Sequence, residues 1–154
     1  MEAAKIKEIL RQQNRTVSEW LVNYNKRKHE HEEGRLELLK KSELNGHSKM
    51  KSKPTETLAV KLASYDDNNT ARWLSTIEIV VKTLNHKQAV LLKLRQECKL
   101  YAPKHGGRPG WIAPIQFRMG EIIGACPAEQ ILKQMWSDIV VFTARLAYIK
   151  NCKF

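Results

Sequence analysis

Apolar residues recur at helical spacing along most of the chain. Ile6, Leu10, Val17, Leu21 and Tyr24 follow one another at intervals of three, four and seven, which gathers them on one face of a 3.6-residue turn. Residues 2–44 are therefore expected to be helical in pieces, with Thr16 or Ser18 capping the second piece. The polar run from His29 to Arg35 fits a solvated helix or a bend at Gly34. Residues 46–54 are poor in apolar side chains and end on Lys53-Pro54, so they predict a basic linker. Its lysines could touch phosphate, although a solvated connector is the plainer reading.

Beyond the linker a short helix is expected over 55–62, then a turn over 65–69 with Asn69 or Thr70 as the next cap. Leu74, Ile77, Val81 and Leu84 form one stripe, with Trp73 and Val80 beside it; Asn85-His86 interrupts the pattern. Val90, Leu91, Leu94 and Cys98 then mark another helix, and the two are expected to pack as a hairpin with ordinary core stripes. Pro103, Gly106, Gly107, Pro109 and Gly110 cannot all sit inside a helix, which makes 101–113 a loop. It carries Lys104, His105 and Arg108. Gly107-Arg108-Pro109 resembles the core of minor-groove-reading hooks, a plain connecting loop being the simpler alternative.

From Pro114 the pattern is helical to Ile123, broken by Gly124-Ala125-Cys126-Pro127, and helical again over 128–149. Pro127 suits the first helical position, which places Cys126 at the cap. Two helices joined by so tight a turn are arranged as in a helix-turn-helix, whose second helix enters the major groove of DNA. The expected fold is thus all-α: a helical N-terminal arm over 1–45, the linker over 46–54, and a compact helical domain over 55–154 that ends in a helix-turn-helix at about 114–149.

On the last helix Ile131, Met135, Ile139, Phe142, Leu146 and Ile149 recur at intervals of four and three and are expected to face the core. That leaves Glu129, Gln130, Lys133, Gln134 and Ser137 outward near its start. Glutamine can pair bidentately with adenine, and lysine can bond guanine or neutralise a phosphate. Gln130, Lys133, Gln134 and Ser137 are the expected reading face; Arg118 on the preceding helix, with Lys104 and Arg108 in the loop, are expected to meet the backbone. Any solvated helix also carries Gln, Lys and Ser, so the face is a candidate by its position rather than by composition.

Charge strengthens the case for a polyanionic partner. Lys and Arg outnumber Asp and Glu by 27 to 16, a formal +11, spread over the whole chain. Cys98, Cys126 and Cys152 are odd in number and widely spaced, which suits three reduced thiols in a cytoplasmic protein and gives neither a disulfide framework nor a zinc pattern. No apolar run approaches the ~20 residues a membrane span needs, and the start of the chain has no signal-peptide core. Phosphate loops, paired-histidine metal helices and nucleophile elbows are missing, and His29 and His31 diverge on a helix. Neither catalysis nor a cofactor nor a small-molecule substrate is expected.

The order of elements resembles the ArpU/RinA-like transcriptional regulators of phages and prophages in Gram-positive bacteria. Four features carry the resemblance: the polar helical N-terminal region; Lys53-Pro54-Thr55-Glu56 followed by Ala59-Val60; the helix from Trp73 to Leu84 leading to the segment Lys87 to Leu94; and the terminal helix-turn-helix. It spans about residues 50–150. Such proteins are similar to sigma-factor region 4 in their last helices, and the resemblance implies action at late-gene promoters. Double-stranded DNA is then the expected partner, with RNA polymerase and a second copy of the chain as further candidates. The alternatives are an RNA-polymerase-associated antiterminator or interaction adaptor without DNA readout of its own, and a small DNA-packaging subunit.

Overall fold

Seven helices and no strand are found among the residues that the computed structural model describes, 2–45, 53–98 and 110–154. They are α1 (Glu2–Val22), α2 (Tyr24–Asn45), α3 (Lys53–Asp66), α4 (Asn69–Thr83), α5 (His86–Glu97), α6 (Ile112–Ile123) and α7 (Glu129–Ile149). The protein is all-α, and no described helix is long and apolar enough to cross a membrane.

Local chemistry explains most of the boundaries. The Asn68 side chain accepts from the Ala71 N–H at 2.9 Å and so starts α4, one residue ahead of the expected caps Asn69 and Thr70. Asn85 and Gln88 form a reciprocal capping box at 2.9 and 3.2 Å, which turns the Asn85-His86 interruption into the start of α5. Where a break at Thr16 or Ser18 was expected, α1 runs through, because the Thr16 hydroxyl bonds back to the Gln12 carbonyl instead of capping a new helix. Only Asn23 separates α1 from α2, and the ladder crosses it: Asn23 N–H to Glu19 O at 3.0 Å, Arg27 N–H to Asn23 O at 2.9 Å. Gly34 lies within α2 with no bend. The third helix takes in Lys53 and Pro54 and continues to Asp66, four residues beyond the expected end; residues 46–52 of the expected linker lie outside the described set.

The core is organised around α7, which packs on α1, α4, α5 and α6. Val17 and Leu21 of α1, Trp73, Ile77 and Val80 of α4, and Leu91, Leu92 and Leu94 of α5 are buried in it with Ile112, Ile115 and Met119 of α6. The second half of α1 is therefore part of the same core as α4 to α7. The hairpin expected between α4 and α5 is not formed as such: each helix packs against α7 instead of along the other. Val81, expected on the buried stripe, is exposed, while Thr76 takes a buried place, its hydroxyl bonded to the Arg72 carbonyl at 2.7 Å.

No described side chain of α2 or α3 is buried; these helices pair as a satellite hairpin. Its contacts are specific. The His31 and Tyr65 rings stack at 4.3 Å, the Tyr65 hydroxyl donates to the His31 carbonyl, and Arg35 forks onto Asp66 at 3.0 and 3.3 Å. Gly34 lets Tyr65 approach so closely that a Cβ would collide with its hydroxyl.

At the end of α6, Gly124 takes φ 83°, the left-handed conformation that closes a helix, and its N–H bonds the Gly120 carbonyl at 3.0 Å. Nothing lies within 4 Å of the place a Cβ would occupy, so Gly124→Ala should carry the backbone cost alone, about 1 kcal/mol. Urea denaturation should show that loss with an unchanged m value; a variant as stable as the parent would mean that the turn does not need this conformation.

Candidate nucleic-acid interface

Residues 124–128 connect α6 to α7, and the expected helix, turn and helix are all present within two residues of their expected limits. One detail differs. Ala128, not Cys126, occupies the cap of α7, so Pro127 precedes the cap rather than opening the helix. A bond from Gln116 Nε2 to the Pro127 carbonyl, 3.1 Å, ties the turn back to α6 in place of a side-chain cap.

The register of α7 is rotated from the expected one by about 100°, one residue on the helix. Its buried positions are Leu132, Trp136, Ile139, Val140, Thr143 and Ala147; of the expected stripe Ile139 is among them and Met135, Phe142 and Leu146 pack at the core's edge, whereas Ile131 and Ile149 are 54% and 72% exposed. Small Thr143 and Ala147 at the buried positions let neighbouring helices approach α7 closely. This rotation divides the expected reading face. Gln130 and Gln134 point outward, and Gln134 Nε2 donates to Asp138 Oδ1 at 2.8 Å. Lys133 and Ser137 instead lie on the flank beside α1.

There they border a groove of about 420 Å³. From α1 it receives Arg11, Asn14, Arg15 and Ser18, which recur at the spacing that stacks side chains along one face. Trp111 and Trp136 wall the groove from the side of α6 and α7. Two larger clefts carry carboxylates, Glu30 in one and Asp66 with Asp67 in the other; this groove has none in its lining. Its cations each meet a carboxylate on their own helix, outside the lining: Arg11 with Glu8 at 3.4 Å, Arg15 with Glu19 at 3.6 Å and Lys133 with Glu129 at 3.1 Å.

Arg95 of α5 packs against both indoles, which are tilted 52° to each other. Its guanidinium carbon lies 4.3 Å from the Trp111 ring centroid and 4.4 Å from that of Trp136, whose rings are 6.2 Å apart. Burial pushes its pKa down to about 10, well below the ordinary guanidinium range, because the cation has lost water and no ion pair to a described carboxylate replaces it. Cation–π attraction to the two rings is what holds it there.

Arg118, expected to touch the DNA backbone, faces α5 and pairs with Glu97 at 3.8 Å; it does not line the groove. Lys104 and Arg108 lie outside the described residues. Comparison with known proteins finds no matching family model, no similar curated protein and no similar solved structure. The geometry is thus the basis for a functional reading. Sequence reasoning missed Arg11, Asn14, Arg15 and Ser18, although their one-turn spacing was a usable signal, and it missed Trp111, Trp136 and Arg95, which only the tertiary packing brings together.

Proposed function

We propose that this chain is a transcriptional regulator that binds double-stranded DNA sequence-specifically through the start of α7. The observation that carries the reading is the placement of Gln130 and Gln134, exposed on the outward side of the first turns of the helix that follows the Gly124 turn. That is the part of a helix-turn-helix which meets base edges, and glutamine amides supply both a donor and an acceptor there. Lys133 and Ser137 lie one flank away, where phosphate is met rather than bases. The net charge of +11 supplies the sequence-independent attraction such a protein needs. The resemblance to phage and prophage regulators supports promoter DNA of such elements as the target.

Selection from random duplex DNA tests the reading. The protein should enrich one short motif. Gln134→Ala should relax preference at a single position by about 1–3 kcal/mol, while Lys133→Ala should weaken binding to all sequences and lower the salt slope by about 1. If no motif is enriched and both variants bind as the parent does, the reading fails.

A protein-docking role without DNA readout has one observation in its favour: the stripe buried at Val17 and Leu21 continues along α1 to Leu10 and Ile6, which are exposed. Under that role, retention of RNA polymerase on the immobilised protein would survive nuclease treatment, and no duplex motif would be enriched.

A further inference from the structure

We infer that α1 is the backbone-holding half of the interface, and that the groove it forms with α7 takes the phosphates of duplex DNA on Arg11, Arg15 and Lys133. This rests on the DNA reading above and adds binding residues from the opposite end of the chain. Three cations from two distant segments converge on one groove whose lining contains no carboxylate. Arg11 and Arg15 are one turn apart, about 6 Å along the axis, so their guanidinia can meet successive phosphates of one strand. Asn14 and Ser18 add neutral donors along the same wall.

The present partners of these cations are easily exchanged. Arg11 and Arg15 have side chains 81% and 83% exposed; one Arg11 nitrogen meets both Glu8 oxygens at 3.4 and 3.5 Å, Arg15 meets Glu19 at 3.6 Å, and Lys133, 51% exposed, meets Glu129 at 3.1 Å, all pairs within one helix. Exposed pairs of this kind contribute little, whereas a guanidinium can bond a phosphate with two parallel hydrogen bonds. The aromatic walls favour the exchange. Low-dielectric surfaces beside the cations concentrate their field once Glu8, Glu19 and Glu129 are displaced, and the Arg95 cation against Trp111 and Trp136 adds to it. A strand seated here lies beside the outward face of α7, so the groove sets the register in which Gln130 and Gln134 meet base edges.

The test is fluorescence anisotropy on the full chain with a labelled mixed-sequence duplex of about 20 base pairs, titrated at several salt concentrations. The Arg11→Ala/Arg15→Ala variant should lose roughly tenfold in affinity per arginine and about 2 in salt slope, with the selected motif unchanged. Arg11→Lys/Arg15→Lys should keep the slope, which a change in folding would not allow. Both arginines lie outside the core, so helicity and the thermal midpoint should match the parent. Wild-type affinity and slope in the alanine variant would overturn the inference while leaving the base-reading face intact. Loss of slope with an inert Gln134→Ala would uphold the groove and remove the base readout. Failure of the parent to bind duplex DNA would end both, and stronger competition by single-stranded RNA of equal length would overturn the commitment to duplex.

Discussion

Replacing Trp73 with alanine is expected to lower the stability of the fold by about 3–5 kcal/mol, a large part of what a domain of this size has. Its side chain is fully buried, and it joins three segments that are distant in sequence. On one side the Trp20 ring of α1 stacks on it at 5.2 Å and 6°. On another, Phe154 meets it edge-on at 5.3 Å, and the indole N–H bonds the Lys153 carbonyl at 3.0 Å. Asn69 holds the same strand of chain by accepting the Lys153 N–H at 2.7 Å. Alanine would remove the apolar area, leave a cavity between α1 and α4, and take away the shorter of the two hydrogen bonds to the Lys153 carbonyl, leaving only the Asn69 amide at 3.4 Å. Urea denaturation should show a much lower midpoint. Trp73→Phe, which keeps the ring contacts and loses the N–H, should recover most but not all of it. A loss below about 1.5 kcal/mol for alanine would mean that the aromatic stack is not what joins these segments.

Arg95 gives the second large expectation, and it runs in opposite directions for two substitutions. Arg95→Ala should cost about 2 kcal/mol, since it removes both ring contacts and the packing of the side-chain stem between Trp111 and Trp136. Arg95→Met should leave stability unchanged or raise it by up to ~2 kcal/mol, because a flexible apolar side chain of similar length fills the space without a desolvated charge. The pH dependence identifies the cause. With the folded pKa near 10, below the ordinary guanidinium value, the folded state holds this proton less tightly than the unfolded state does. Burial of the cation therefore counts against stability in full below pH 10, and the cost is relieved as pH rises above about 10. The difference in unfolding free energy between parent and Arg95→Met should shift in favour of the parent as pH rises through 10, by at most about 1.4 kcal/mol per unit. A flat difference would mean that water or a counter-ion already compensates the charge.

Helices were legible because they depend on neighbours in sequence, their caps only in part: Asn68 and Ala128 begin the helices for which Asn69 or Thr70 and Cys126 were expected. Asn85 followed three residues later by Gln88 is readable as a capping box, and Gly124 after an apolar run is readable as a stop. The register of α7 was not legible. A helix surrounded by α1, α4, α5 and α6 has apolar residues on several sides, so more than one stripe satisfies the same spacing, and only the shapes of the neighbours choose between them. The continuity of α1 was hidden for a different reason: Thr16 and Ser18 are good caps in isolation, yet Val17 and Leu21 must stay in helical register to reach the core. Of the expected contact residues, Lys133 and Ser137 fall in the groove by their place on α7. Arg11 and Arg15 join them only through packing between the first and last helices.

The uninterrupted hydrogen bonding at Asn23 has a mechanical consequence. The first two helices together form a rod with a contour length of about 65 Å, with the arginine-bearing wall of the groove toward one end and the Tyr65-clamped hairpin toward the other. Because the ladder does not break between them, Arg11, Arg15 and the Arg35 that clamps Asp66 sit on one continuous helical element, held along its length by α7 at one part and α4 at another.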